Sequence, residues 1–370
     1  MKLSYWEYKT WLRNVDFTIV GSGIVGLNCA LQLRKRYPSA KIVVLEKGIL
    51  PQGASTKNAG FACFGSLSEI LDDLNSHSEE EVVNLVKRRV KGLQLLRKTL
   101  GDTTIDYQGW GGYELFTEED AALYEACLEK KDSINQLLYS VFDGKVFSEV
   151  ANTFHFEKIQ SRYIFNQFEG QIDTGKMMQA LLQKAVSQNI HILNSVSVDA
   201  FSEAGNTVHI QTNHFDFYTN KLLIATNGFA SQLLNENVQP ARAQVLITKP
   251  IKNLHIKGTF HLDKGYYYFR NIDNRILFGG GRNLDFIGEQ TTEFAETELI
   301  QQKLEALLQT TILPNRTFEI DHRWSGIMGV GTQKKAIVKA LSSHVFCGVR
   351  LGGMGVAIGS LVGKELADLI

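Results

Sequence analysis

The sequence predicts an α/β fold in which a Rossmann-type parallel unit is interleaved with an α+β unit built on an antiparallel sheet. Three observations carry this. The apolar run at residues 17–20 leads directly into Gly21-Ser22-Gly23-Ile24-Val25-Gly26; a helical pattern follows, and a second apolar run at 42–45 ends on Glu46. From Ala241 onward the chain is rich in strand patterns. Near the end, the order of apolar strand, glycines and helix recurs, with 345–348, then Gly352-Gly353-Met354-Gly355, then an apolar stretch to Ile370.

Each part of the first unit has a physical role. Gly21 makes the tight strand-to-helix turn, Gly23 admits the backbone to a pyrophosphate, and Gly26 with Ala30 lets helix and strand pack closely. Ile24 and Val25 open the helix, whose free N–H groups and positive dipole end suit phosphate. Glu46 stands where a carboxylate accepts hydrogen bonds from a ribose 2′-OH and argues against a 2′-phosphate.

The remaining elements read in order. Residues 1–14 form a short amphipathic helix carrying Tyr5, Trp6 and Trp11. A polar, Gly-rich loop spans 53–60. Ser78-Glu79-Glu80-Glu81 is a capping box that opens a helix with Val82, Val86, Val90, Leu93 and Leu100 at helical spacing. A strand at 111–116 and a helix from 117–120 to about 141 follow. Asp173 starts another helix. Strands come at 190–193, 208–212, 222–226, 244–248, 266–270 and 276–279, and a helix carries Phe294, Leu299, Leu304 and Leu307. The expected division is 1–80, 145–238 and 320–370 in the dinucleotide unit, with 81–144 and 239–319 in the other.

Composition narrows the function. The 370 residues are 44% hydrophobic and 21% charged, enough for a substantial core and about two domains. Lys+Arg and Asp+Glu are 39 each, so no net charge favours nucleic acid or an acidic membrane. No apolar run is long enough to cross a bilayer, and the start lacks a signal-peptide core. Cys29, Cys63, Cys127 and Cys347 are scattered, which points to reduced thiols and a cytoplasmic protein. The histidines show no metal-binding spacing, so no metal is expected.

Several segments together resemble the FAD-dependent amine and amino-acid oxidoreductases, the family of D-amino-acid oxidase, glycine oxidase, sarcosine oxidase and γ-glutamylputrescine oxidase. The matching pieces are 21–46, 53–60, 173–182, 224–228, 244–248, 266–281 and 323–370, nearly the whole chain in the family's order. The piece with Arg323-Trp324-Ser325-Gly326 and then Gly352-Gly353-Met354-Gly355-Val356-Ala357 is more specific than the glycine fingerprint. The resemblance implies FAD, held non-covalently because no cysteine stands near Met328. It implies that Gly21, Gly23 and Gly26 face the pyrophosphate, that Glu46 and Lys47 meet the adenosine end, and that Ser55, Thr56, Asn58 and Ala59 hold the ribityl and flavin region. Val198, Thr226, Asn227, Gly228 and Gly326 complete the cofactor set. A helix opening near Gly353, with Met354, Gly355 and Val356, directs its positive end at the flavin, where negative charge gathers on reduction.

For substrate, a guanidinium pairs bidentately with carboxylate, so Arg350 and then Arg270 are the favoured clamps, ahead of Arg323. Strand alternation puts Tyr266 and Tyr268 on one face, and Tyr268 is expected to orient the amine. Trp110 and Tyr113 are further candidates for the pocket wall. The expected activity is oxidation of a C–N bond in a small amine or amino acid to an imine, with hydride passing to flavin N5 and oxygen or a quinone-type carrier as final acceptor. The alternatives are an FAD-dependent 2-hydroxy-acid or polyol-phosphate dehydrogenase, which usually has a base such as histidine facing the flavin and for which the sequence offers no clear candidate, and a non-catalytic flavoprotein subunit.

Overall fold

In the computed structural model, which describes residues 2–370, the strand Val15–Val20 sits centrally in a sheet. It pairs in parallel with Ile42–Leu45 on one side and Asp216–Ile224 on the other. His191–Leu193 and Val345–Val349 extend the parallel core, and Ile337–Ala340 caps one edge antiparallel. A hairpin, Val198–Ala204 and Thr207–Thr212, runs antiparallel off Asp216–Ile224. Val15–Val20 and Ile42–Leu45 are buried almost throughout, as expected for strands covered on both faces.

Two helices cover this sheet together. Ile24–Arg36 packs against Gly355–Asp368, and glycines set the distance: a side chain on Gly359 would meet Ile24, and one on Gly363 would lie 2.6 Å from the Val25 carbonyl oxygen. The long helix Glu79–Leu100 meets the same C-terminal helix at Gly92, where a Cβ would lie 2.2 Å from the Ala357 carbonyl oxygen. Ser78 caps it through the box read from the sequence.

The second sheet runs Ile320–Val330, Gln239–Thr248, Arg275–Gly280, Tyr267–Ile272, Thr259–Leu262, Gly112–Leu115, Arg162–Asn166 and Phe147–Ala151. All its pairings are antiparallel except Thr259–Leu262 with Gly112–Leu115. This corrects the expected division. Phe147–Ala151, Arg162–Asn166 and Ile320–Val330, read with the dinucleotide unit, belong to the antiparallel sheet, because Ile320–Val330 pairs with Gln239–Thr248 along nearly its whole length. Phe260, Phe269 and Phe278 fill the face of this sheet that packs on the helix Glu298–Leu307.

The first helix is shorter than read. Tyr5–Glu7 continues as a π-helical turn, Tyr8–Leu12, with Leu12 its buried residue and Tyr5, Trp6, Tyr8 and Trp11 exposed; Met1 lies outside the described residues. Phe294 stands in a loop ahead of Glu298–Leu307 and not on that helix. That loop, 285–297, is tied down by Glu289. Its carboxylate is fully buried, takes Arg242 Nε and Nη2 at 2.9 and 2.7 Å, and accepts Gln244 Nε2 at 3.0 Å.

Candidate active site

One cavity of about 1230 Å³ lies between the carboxyl ends of the parallel strands and the inner face of the antiparallel sheet. Val20, Leu45, Ala225 and Arg350, each at or just past a strand end, border it, the position at which open α/β sheets bind ligands. It exceeds the roughly 300–1,000 Å³ of an ordinary small-molecule pocket, so there is room for a dinucleotide and a substrate.

Both helix N-termini open into it. Gly21 takes φ +103°, the left-handed region that suits glycine. Ile24 N–H donates to Ser55 Oγ at 2.9 Å, which anchors the 53–60 loop over the first helix. A side chain on Gly23 would strike that same Ser55 oxygen. Glu46 is buried, its carboxylate fixed by the Ser22 hydroxyl at 2.7 Å and by the N–H groups of Ser22 and Gly48. At the second helix, Cβ atoms built on Gly352 and Gly353 meet nothing, so the backbone there is bare toward the cavity. Thr226 Oγ1, beside it, is buried without a hydrogen-bond partner. Two positive helix ends, an ordered carboxylate at the second strand, an orphaned hydroxyl and a bare glycine turn form a donor set that fits FAD.

Of the residues expected at the cofactor, Gly21, Gly23, Ile24, Val25, Glu46, Lys47, Ser55, Asn58, Ala59, Val198, Thr226, Asn227, Gly326, Met354, Val356 and the glycines at 353 and 355 line this cavity. Three do not. Gly26 lies behind it, with a Cβ position 1.9 Å from the Gly21 carbonyl oxygen. Thr56 turns its hydroxyl to the Pro51 carbonyl at 2.6 Å. Gly228 packs against the Met328 backbone. These three shape the walls.

A row of residues crosses the antiparallel sheet, with Glu114, His261, Tyr268, Gly279, Val245 and Trp324 opposite one another on successive strands, and His261, Tyr268 and Val245 line the cavity. The Tyr268 ring lies over Gly279, where a Cβ would be 2.7 Å from it. Burial pushes the Tyr268 hydroxyl up to about 12, so it stays protonated as a donor. Phe61 meets His261 and Tyr268 edge-on, with centroids 5.2 and 5.6 Å apart. Trp324 Nε1 donates to the Lys57 carbonyl at 2.9 Å and ties this sheet to the 53–60 loop. Tyr267 points to the opposite core, as the alternation requires.

The arginines are used differently from the sequence reading. Arg270 is buried outside the cavity lining and donates Nε to the Ala59 carbonyl; burial lowers its pKa to about 10. It holds the loop. Arg350 lines the cavity at φ +63°, but Nε and Nη2 donate to the Lys335 carbonyl and Nη1 to the Asn237 carbonyl. Arg323 pairs with Glu305. One cation on the cavity is Arg282, just beyond the strand Arg275–Gly280; Lys47, Lys57 and Arg89 also line the cavity and, among the described residues, likewise make no ion pair. Arg282 has its Nε buried without a partner, and no carboxylate of the described residues lies within ion-pair distance of it. Its guanidinium rests 4.9 Å from the Phe286 ring centre, and burial lowers its pKa. Trp110 and Tyr113 do not line the cavity: Tyr113 lies in the aromatic core and Trp110 lies under Lys257.

Sequence reasoning also missed His261 and Glu169, which sit 3.7 Å apart, nitrogen to oxygen, both buried. They are far apart in the chain, and strand pairing brings them together. Phe61–Ala62 runs antiparallel to Gly170–Gln171, which sets Cys63 beside Glu169. Glu169 accepts the Phe64 N–H at 2.9 Å, and its carboxylate occupies the space left by the missing side chain of Gly112. Only the Gly111-Gly112 pair hinted at such a close approach.

A model of the FAD dependent oxidoreductase family matches residues 16–369. Among curated proteins, the chain is similar to the probable oxidoreductase OrdL of Haemophilus influenzae, 20% identical over 98% of this chain and 84% of that protein. It is 23% identical to the gamma-glutamylputrescine oxidoreductase of Escherichia coli over 96% of this chain and 83% of that protein. Among solved structures, it resembles glycine oxidase from Bacillus cereus, with TM-score 0.77, 16% identity and 96% and 94% of the two chains covered. L-proline dehydrogenase from P. horikoshii gives TM-score 0.74 at 17% identity, covering 96% and 93%.

Proposed function

The chain belongs to the FAD dependent oxidoreductase family, and we propose that it oxidises the C–N bond of a small, carboxylate-bearing amine or amino acid to an imine. The observation that carries this reading is Arg282, a half-buried cation without an acidic partner, on the same cavity as an aromatic wall. A guanidinium so placed fits a substrate carboxylate. The names of the similar proteins, which act on glycine, proline and γ-glutamylputrescine, support a substrate of this class.

Bound FAD supplies the two-electron oxidant. The chain's own residues do the rest. Arg282 takes the acid end, the protonated Tyr268 hydroxyl donates a hydrogen bond to the bound substrate, and Phe61 keeps water from the reacting carbon. Four free, buried cysteines support a reducing compartment, the cytoplasm. No helix among the described residues is long and apolar enough to cross a membrane.

The deciding experiment is anaerobic addition of amines, D- and L-amino acids and N-methyl amino acids to the purified holoenzyme. Bleaching of the flavin bands by an amino-acid class is the expected result, and re-admitting air then separates oxygen from a quinone-type acceptor. Failure of every amine, with bleaching by a 2-hydroxy acid or polyol phosphate, establishes the C–O alternative, which the unforeseen His261–Glu169 pair favours. Bleaching by nothing leaves the non-catalytic subunit.

Arg282→Met should raise KM for carboxylate-bearing substrates by about 10–100-fold, the loss of a charge-assisted pair worth about 1.5–3 kcal/mol. Flavin content should be unchanged, and amines lacking a carboxylate should be unaffected. Equal losses on both substrate types would remove Arg282 from the site.

A further inference from the structure

Beside the aromatic wall, one imidazole is held with a carboxylate at its back and the cavity in front. His261 occupies the cavity face of Thr259–Leu262, between Glu114 and Tyr268 on the neighbouring strands. Its Nε2 is sealed from solvent, has no hydrogen-bond partner, and faces Glu169 at 3.7 Å. Its Nδ1 is not among the sealed, unpartnered polar atoms, and the residue lines the cavity. A base oriented from behind by a carboxylate, with its other nitrogen toward the substrate, is the arrangement of an acid–base pair.

Building on the C–N reading above, we infer that His261, oriented by Glu169, accepts the proton of the substrate ammonium through Nδ1. The N–H bond breaks and its electron pair stays on nitrogen. The α-hydrogen leaves as hydride to FAD, the oxidant, and the nitrogen pair forms the C=N bond. His261 then returns its proton to water. Amine substrates arrive protonated, and only the neutral amine has a pair to give, so the step has a clear need.

The groups facing the ring are Glu169, Glu114, Glu69, Tyr268 and Cys63. Burial pulls the imidazole pKa down, but Glu169, reinforced by Glu69 and Glu114, outweighs burial and holds it above the ordinary 6.5. Burial raises the pKa of Glu114, which also accepts the Ser68 hydroxyl, and burial pushes the Cys63 thiol well up. The competent, neutral imidazole is therefore the form above a pKa higher than 6.5, and activity rises with pH through it.

The test is the pH profile of anaerobic flavin reduction in the holoenzyme with the substrate found above. In the native protein the rising limb should lie below the ammonium pKa of the free substrate. His261→Asn should slow reduction near neutral pH by about 10²–10⁴-fold, the usual worth of a positioned base, and move the limb up to the substrate's own pKa. Glu169→Gln should move it down, because the lost carboxylate no longer raises the imidazole pKa. Opposite shifts from two touching residues are not what general damage produces. Binding of an amine without an α-hydrogen, read from the flavin spectrum, should follow the same limbs. A His261→Asn protein that keeps the native limb and rate overturns the proposal. If that variant does not hold FAD, an unmoved limb in Glu169→Gln overturns it instead. Should only hydroxy acids reduce the flavin, the C–N reading fails separately; the same variants then test His261 on a hydroxyl proton, and an unmoved profile overturns it there too.

Discussion

Gly26→Ala is expected to purify with little or no flavin. A Cβ at this position lies 1.9 Å from the Gly21 carbonyl oxygen, 3.1 Å from its carbon and 3.2 Å from Ile19 Cγ2. The first two are backbone atoms of the strand-to-helix turn, so no flexible side chain can yield. The helix must lift from the strand, and its first N–H groups leave the cavity edge. Overpacking of a core costs about 1–3 kcal/mol, and here the strain falls on the turn that presents the phosphate donors. The flavin absorbance per chain should fall at least about tenfold, equivalent to about 1.4 kcal/mol. Gly144→Ala, whose nearest neighbour would be the Phe168 ring at 3.7 Å, should keep native flavin content. Full flavin in Gly26→Ala would mean that the cofactor does not depend on this turn.

The second large effect is at Glu289. Its carboxylate is fully buried and holds Arg242, which is itself 6% exposed. Glu289→Ala leaves a buried guanidinium without its counter-charge, at a cost of about 3–5 kcal/mol. The melting temperature should drop by about 5 °C. The loop it anchors carries Thr292, Glu293 and Phe294 into the cavity wall, so flavin should also be released at lower temperature. Replacing both partners, Arg242→Leu with Glu289→Leu, should recover most of the stability, because no charge is then stranded. A single variant as stable as the native protein would show that the pair contributes nothing net.

The dinucleotide unit was legible because its signals are local. Residues 17–46 hold strand, glycines, helix, strand and acid in one continuous run, and backbone geometry alone dictates each residue type. The Ser78 box and the Asp173 cap were readable for the same reason, since each cap bonds within three residues of itself. The wall that the antiparallel sheet gives the cavity was not. Glu114, His261, Tyr268 and Trp324 become neighbours only when strands from distant parts of the chain pair, and no single stretch encodes that register. The arginines failed for a related reason. Proximity to glycines suggested Arg350, but a guanidinium's role depends on which carbonyls reach it, and Lys335 and Asn237 do. Arg282 follows glycines too, and its lack of a carboxylate within ion-pair distance, which Arg89 shares, is a three-dimensional property that no stretch of sequence shows.

The union of the first and last helices has a consequence for how the protein is made. Ile24–Arg36 is buried from Ile24 to Leu31 and at Leu33, and it packs against Gly355–Asp368. On the ribosome the first helix emerges long before its partner exists. At about 5–20 residues per second the gap is on the order of tens of seconds. Through that interval the apolar sides of the first helix and of the strand Asp216–Ile224, which waits for Val345–Val349, lie open. These open apolar faces are where a chaperone acting during translation is expected to bind.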